Sequence, residues 1–462
     1  MSGETRLLAL TARTAEALEV ATDELADRLE RMDDAEFAAL PAVSEAATTP
    51  SPATHRRALA ASGAADAARR LRKRDPRRVS TGGGPDGGRD ADGGGRGPAG
   101  GGGPGVSRVF LFSGVGDQYA GLGAGLYRCL PVFRDELDRC FGLLAAEPGP
   151  DLRQVLFPAA PEEGDEPGAG AAARPDLAAL FDRRETVQEI HRTVVAQPLM
   201  FAVQYAMARA LTALGAGPTA LAGYSVGEYA AACVAGVLPL PDALRLVSHR
   251  ARLVDGLPEG AMLAVMAGPE SVLPYIGGEL SAAAFNGPQQ TVLSGPVEAV
   301  EKAAGLLTED GHACRRLATS HAFHSWMTEP LTGPLEELLD ALPLRPPEVP
   351  VLSNVTGTWL RDEEATSPAY WARQLSRTIR FAEELAEIWR LPDPLLVELG
   401  PGQPLTRLAL QHPGRPAGAV GSVVQSLPGG FDSRSEHELL LAALGRFWVT
   451  GVEPDWTALR LP

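Results

Sequence analysis

Apolar and polar positions divide the chain into blocks of different rhythm. The first, residues 1–78, opens with "RLLALTA", which predicts a short strand. It continues into "TAEALEVATDELADRLERM", where Leu18, Leu25 and Leu29 recur at helical spacing behind Thr11 or Thr14 as caps. "ATHRRALAASGAADAARRLRKR" predicts a second helix, giving a small α/β unit too thin in apolar residues to look catalytic. Residues 81–105 are dominated by glycine and cannot repay the entropy of ordering, so 79–106 reads as a flexible linker. From Arg108 the pattern turns globular. "RVFLFSG" predicts a buried strand running into a glycine turn, and "AQPLMFAVQYAMARALTALG" a long helix stopped by Gly215. "ALAGYS" predicts a strand and "VGEYAAACVAG" a helix stopped by Gly236, while 159–176 reads as a surface insertion. Between about 258 and 320 short strands and helices alternate, the rhythm of a split β-α-β subdomain set into the larger fold. "VPVLSNVTG" and "PLLVELGPG" predict two more buried strands, and a helix-rich tail closes the chain.

With 462 residues, 45% of them apolar, the chain has room for two or three domains. Its formal charge of −16 repels nucleic acid. The basic run "RRLRKRDPRR", Arg69 to Arg78, has no interleaved aromatics and reads as a solvated helix end. Cys129, Cys140, Cys233 and Cys314 show no CxxC spacing and read as small hydrophobes in a reducing compartment. "MSGETRLLAL" lacks the pattern of a signal peptide, and no apolar run approaches the ~20 residues of a membrane span. These features predict a cytoplasmic protein with no nucleic-acid or membrane partner.

One stretch carries chemistry. In "LAGYSVGEYAAACVAG" Ser225 stands between Gly223 and Gly227, at the junction of a predicted strand and a predicted helix. That is the pattern of a nucleophile elbow. The turn thrusts the hydroxyl out, the glycines let backbones approach, and the helix N-terminus offers N–H groups to an oxyanion. A structural strand–helix turn would look the same. A serine also needs a base. "SHAFHSW" offers His321 and His324, which three apart also fit a metal pair, although no third ligand stands at metal spacing, or two solvated histidines.

The ordered set "FSGVGDQ", "GYSVGEY", "RLVSHRARL", "GAMLAVMAG", "NGPQQTVLSG", "SHAFHS", "YWARQL" and "VELGPG" closely resembles the acyltransferase domains of modular polyketide synthases and the malonyl-CoA:acyl-carrier-protein transacylases. The match runs from about Val109 to Pro404. The resemblance implies an α/β fold: a large α/β-hydrolase-like core with an inserted ferredoxin-like small subdomain, preceded by a small α/β linker domain. The implied division is a linker domain at 1–78, an acyltransferase domain at 107–409 and a post-acyltransferase linker at 410–462. It implies Ser225 as nucleophile, His324 as base, and the main-chain carbonyl of Gln374 as the group orienting that base. It implies the backbone amides of Val115 and Val226 as the oxyanion hole, and Arg250 as the partner of a malonyl-type carboxylate. It places Tyr224, His321, Phe323, Asn286 and Gln118 around the acyl group. A guanidinium suits the carboxylate because it binds bidentately and stays charged when partly buried, although Arg245 and Arg252 lie on the same predicted helix.

Val226 and "HAFH" point to malonyl rather than methylmalonyl, with the Phe323 ring filling the space of an α-methyl group. The chain departs from the family at Tyr224 (usually histidine), at Val115 and Asp117 (usually glutamine and serine) and at Trp326 (often proline). The expected activity is ping-pong transfer from malonyl-CoA to the phosphopantetheine thiol of an acyl carrier protein, with no metal or redox cofactor. A ketosynthase is a further expected partner. A thioester hydrolase, a transferase of another acyl group, and a non-catalytic scaffold are the competing readings. Met1 and the lack of a ketosynthase region suggest a free-standing enzyme, though an excised piece of a synthase would look alike. Arg373, Arg377 and Arg380 are candidates for docking an acidic carrier protein, or a solvated helix face.

Overall fold

The computed structural model describes residues 5–49, 55–83, 105–158 and 189–459. Most of the glycine-dominated stretch and the insertion expected at 159–176 lie outside them. Strands β1 (Arg6–Ala12), β2 (His55–Ala61) and β3 (Ser80–Gly82) form an antiparallel sheet in that order. Its two longer helices are Ala15–Glu30, capped by the Thr14 hydroxyl, and Ala64–Lys73. Two expectations are corrected here. The predicted second helix is a strand in its first half, because His55–Ala61 pairs with β1 along all seven residues, and the helix starts only after Gly63. Alanine favours helix intrinsically, but pairing and burial override that preference. Secondly, β3 lies inside the stretch expected as linker. The basic run does end a helix, but it is paired: Arg72 engages Asp23, Asp27 and Glu30, and Arg74 engages Glu19 and Asp23.

The central unit contains β4 (Arg108–Phe112) and β5 (Ala220–Gly223). An insertion follows, with β6 (Ala261–Val265), β7 (Ser281–Gly287), β8 (Gln290–Gly295) and β9 (Cys314–Arg316). These four pair antiparallel in the order β7-β8-β6-β9, with helix Val297–Glu309 between the last two in sequence. Then come β10 (Val351–Leu352), β11 (Leu395–Pro401) and β12 (Val423–Leu427). The central sheet has the order β10-β5-β4-β11-β12, and every neighbouring pair is parallel. A parallel sheet is covered on both faces, so its strands read as continuous apolar runs. β12 corrects the boundary expected at 409: the presumed tail supplies the fifth strand of this sheet. Helix Thr193–Ala213 is buried almost all round, and its two glutamines, Gln197 and Gln204, face the site rather than solvent.

The C-terminal helix, Glu436–Val449, joins the two units. At one end the Glu436 carboxylate accepts the N–H groups of Gly123 and Leu126, at 2.6 and 3.0 Å. At the other, Trp448 is buried against Leu7 and Ala58, with the Arg56 guanidinium 4.9 Å from its ring centre. Between them Arg70 pairs with Glu438 at 2.7 Å. Among the described residues no helix is long and apolar enough to cross a membrane.

Because Trp448 fills the seam between the sheet β1–β3 and this helix, Trp448→Ala should cost about 3–5 kcal/mol there. Limited proteolysis combined with denaturant unfolding should show residues 5–82 becoming accessible before the central sheet is lost.

Candidate active site

Ser225 sits between β5 and helix Val226–Val234, at the C-terminal edge of the parallel sheet, where α/β proteins bind ligands. Its backbone is left-handed, with φ 57° and ψ −116°. Such a conformation in a residue with a side chain costs about 1–3 kcal/mol and persists only when its surroundings enforce it. The flanking glycines are part of that enforcement. A Cβ on Gly223 would lie 2.2 Å from the Glu228 nitrogen, and one on Gly227 would lie 2.1 Å from the Phe112 carbonyl oxygen. The helix can therefore sit directly on the ends of β4 and β5 only if both positions lack a side chain.

His324 reaches the serine from the segment that leaves the inserted sheet. Its Nε2 lies 2.8 Å from Ser225 Oγ, and its Nδ1 lies 2.8 Å from the Arg377 carbonyl oxygen. A carbonyl can only accept, so Nδ1 carries the proton and Nε2 turns its lone pair to the hydroxyl. His324 too has a positive φ, 55°. Burial pulls its imidazole down to about 4, and the nearby positive charge of Arg250 acts in the same direction. The carbonyls of Arg377 and Gln374 oppose that shift. At neutral pH the ring is therefore uncharged and able to take a proton.

The orienting carbonyl is thus a correction to the expectation. The acceptor in contact is Arg377, three residues beyond Gln374, whose own carbonyl acts as a second, weaker dipole. The contribution of Gln374 is through its side chain. Its Nε2 donates to the Ser225 carbonyl at 2.9 Å and to Glu228 Oε2 at 3.0 Å.

Arg250, on helix Leu240–Asp255, is fully buried. One nitrogen donates to Gln197 Oε1, and the guanidinium carbon stands 5.4 Å from the Tyr229 ring centre. Its Nε and Nη2 have no hydrogen-bond partner among the described residues. Burial pulls its pKa below the ordinary value, with Tyr229 opposing. Of its rivals, Arg245 pairs with Asp242 and Arg252 with Glu147, so both are spent elsewhere. Two backbone N–H groups lie beside the serine. Val226 is the first residue of its helix, whose leading N–H groups have no partner within the helix. Val115 is on the loop after β4, and an added Cβ on the preceding Gly114 would stand 3.8 Å from Ser225 Cβ.

The remaining expected residues divide. Tyr224 OH donates to Asn286 Oδ1 at 3.0 Å, tying the elbow to β7 of the inserted sheet. His321 and Phe323 are buried together, ring centres 6.3 Å apart, and His321 Nδ1 meets Ser320 Oγ at 3.0 Å. The two histidines face different partners, and among the described residues no metal-binding cluster includes them. Gln118 is a correction. It is buried with both ends of its amide engaged, by Gly116 N–H, the Ile190 carbonyl and His191, so it braces the loop rather than facing an acyl group. A cavity of about 320 Å³ leads to His324 between the inserted sheet and the core, lined by Phe285, Trp326, Arg377 and Thr378. Arg377 and Arg380 line an adjoining cavity of about 380 Å³; Arg373 lines neither.

Comparison with known proteins gives the family. A family model described as the acyl transferase domain matches residues 109–446. The chain belongs to that family. It is 38% identical over 352 residues to a phenolphthiocerol/phthiocerol polyketide synthase of Mycobacterium tuberculosis, covering 76% of this chain and 22% of that protein. It is 37% identical over 353 residues to spectinabilin polyketide synthase system protein NorB of Streptomyces orinoci, covering 76% and 15%. The chain thus spans less than a quarter of the length of these relatives. Among solved structures, the acyl transferase domain of ZmaA superposes with a TM-score of 0.79 at 29% identity, covering 99% of this chain and 97% of that one. The acyl transferase domain of SpnD, in complex with 2-(pent-4-yn-1-yl)malonyl, gives 0.74 at 34% identity, covering 99% and 98%.

This polyketide synthase acyltransferase domain also holds groups that sequence reading missed. Asn354, Glu228 and Glu384 form a buried polar cluster under the elbow, joined by the half-buried Tyr370. Burial pushes Glu228 up to about 7 and Glu384 well above the carboxylate range. A signal existed: Asn354 follows an apolar strand at the sheet's C-terminal edge, and Glu228 is an acid inside an otherwise apolar helix.

Gly227→Ala should abolish reaction of Ser225 with a serine-directed phosphonate while leaving Arg250 and His324 in place; mass spectrometry of the labelled peptide checks it. Since His324 is neutral above about pH 4, acylation should stay flat from pH 5 to 8. Arg250→Gln, by removing a positive charge, should move the acid limb upward.

Proposed function

We propose that this acyltransferase loads a malonyl-type extender unit from CoA onto the phosphopantetheine thiol of an acyl carrier protein, through an acyl-Ser225 intermediate. The observation that carries the reading is the buried guanidinium of Arg250, with two of its nitrogens unspent as donors, in electrostatic reach of His324. A buried unpaired charge is costly, and a carboxylate gripped in bidentate fashion relieves it.

The steps follow from the groups present. As Ser225 Oγ attacks the thioester carbonyl, His324 Nε2 takes the hydroxyl proton. The N–H groups of Val115 and Val226 receive the oxyanion, where one such donor is worth roughly 3–4 kcal/mol. The tetrahedral intermediate collapses, the carbon–sulfur bond breaks, and the CoA sulfur leaves with the proton from His324. The carrier thiol then gives its proton to His324 as its sulfur attacks the acyl-serine, and Ser225 regains a proton as the ester breaks. Neither half-reaction needs a metal or redox cofactor. Val226, Phe323 and His321 favour malonyl over larger groups. A pocket distinguishes one methyl by only about 1–3 kcal/mol, so some leakage to methylmalonyl is expected. The cavity beside Arg377 and Arg380 suits an acidic carrier's prosthetic arm, and the joined terminal units suit packing against a ketosynthase.

Intact-mass analysis should find a malonyl adduct on the protein after incubation with malonyl-CoA, and none on Ser225→Ala. In competition among acyl-CoAs, Arg250→Ala should lose malonyl loading about 100-fold or more while loading of acetyl, which has no carboxylate, falls far less. An equal loss for both would remove the assigned role of Arg250.

A further inference from the structure

We propose that Asn354 is a positioning residue for acyl transfer: its carboxamide clamps the backbone leading into Ser225, bridging the Gly223 carbonyl and the Ser225 N–H, and holds the nucleophile in its left-handed turn. The inference rests on Ser225 being the nucleophile, as argued above, and adds a residue that never meets substrate.

The clamp begins where the sheet runs out. β10 pairs with β5 only at Val351–Leu221 and Leu352–Ala222. One residue further on, β5 reaches the elbow and no β10 backbone continues beside it. Asn354, two residues past the end of β10, supplies a side-chain amide there instead, the same chemical group as the peptide it replaces. Its Oδ1 accepts the Ser225 N–H at 2.7 Å, and its Nδ2 donates to the Gly223 carbonyl. On the opposite side the backbone ladder persists, with Tyr224 N–H donating to the Phe112 carbonyl at 2.8 Å.

The orientation of this amide is not interchangeable. Its oxygen faces a donor and its nitrogen faces a carbonyl, so rotation by half a turn would break both contacts. Glu384 locks it further, accepting from Nδ2 at 2.8 Å, and Asn354's own N–H is held by Glu228 Oε1 at 3.1 Å. Gln374 completes the arrangement by donating to the Ser225 carbonyl and to the other oxygen of Glu228. Gly223 O, Ser225 N and Ser225 O are thus each held by a carboxamide. None of these bonds involves Ser225 Oγ, the His324 ring or Arg250, so the cluster acts on where the hydroxyl points.

The test uses the intact chain and a fluorophosphonate, which forms a phosphorus–oxygen bond to Ser225 and expels fluoride without needing an acyl-CoA. Wild type should label at a constant rate from pH 5 to 8. Failure of wild type to label would count against the Ser225–His324 pair itself, not against the clamp. Asn354→Asp keeps the volume and can still accept the Ser225 N–H, but its ionised carboxylate cannot donate to Gly223 O and sets a negative charge against that carbonyl. It should label about 100-fold slower at pH 8 and recover as acidification restores a donor. Asn354→Ala should be slow at every pH. With malonyl-CoA as donor, Asn354→Asp at pH 8 should lower kcat with little change in KM, because Arg250 is untouched. Wild-type labelling by Asn354→Ala, or a rate in Asn354→Asp that ignores pH, overturns the proposal. Should Asn354→Ala fail to fold, as judged by its thermal midpoint, the pH slope of the aspartate variant decides alone.

Discussion

The site depends on one close approach. Helix Val226–Val234 rests its first turn against the end of β4, with Gly227 so near the Phe112 carbonyl that no side chain fits between them. That contact fixes how sharply the chain must turn at residue 225, and so forces its left-handed backbone. It also brings the leading N–H of the helix alongside the loop that follows β4, with Gly114 stacked close to the serine. The position of the Ser225 hydroxyl and that of the leading helix N–H are thus products of the same packing. Strain at Ser225 and His324 is confined to a few bonds, while the cost is carried by a core that includes the fully enclosed Phe110, Phe112 and Phe201.

Around that contact, charge is kept away from water. Arg250, His324, Glu228 and Glu384 are all buried within one region. Each is handled differently. The histidine gives up its charge; Glu384 is held toward its neutral form; Glu228 receives hydrogen bonds from Asn354, Tyr370 and Gln374. Arg250 alone keeps its charge with donors to spare. Hydrogen-bonded polar clusters of this kind rigidify a core, although Glu384 Oε2 and Gln374 Oε1 have no partner among the described residues.

How much of this was legible in the sequence varied with the range of the interactions involved. The elbow was legible because glycine spacing around Ser225 reports a local steric requirement. Arg250 and His324 were legible through resemblance, since nothing local distinguishes Arg250 from Arg245. The Ala-rich stretch at His55–Ala61 misled because its strand character comes from β1 and the C-terminal helix, hundreds of residues apart in sequence. β12 was missed for the same reason: a five-residue strand becomes one by joining β11. The orienting carbonyl was misplaced by three residues because sequence does not reveal which peptide of a turn faces inward. Asn354 was overlooked as part of a strand, although its amide works only where that strand has ended.

The electrostatics of Arg250 and His324 have a further consequence. The guanidinium's field weakens the imidazole as a proton acceptor while no anion sits beside it. A carboxylate bound to the guanidinium would cancel that field and make the imidazole more basic. Ligands without a negative terminus leave the field intact. Were Arg250 to hold the acyl carboxylate as proposed, selectivity would be exercised twice by one residue, first in holding the acyl group and again in raising the basicity of the imidazole beside the hydroxyl.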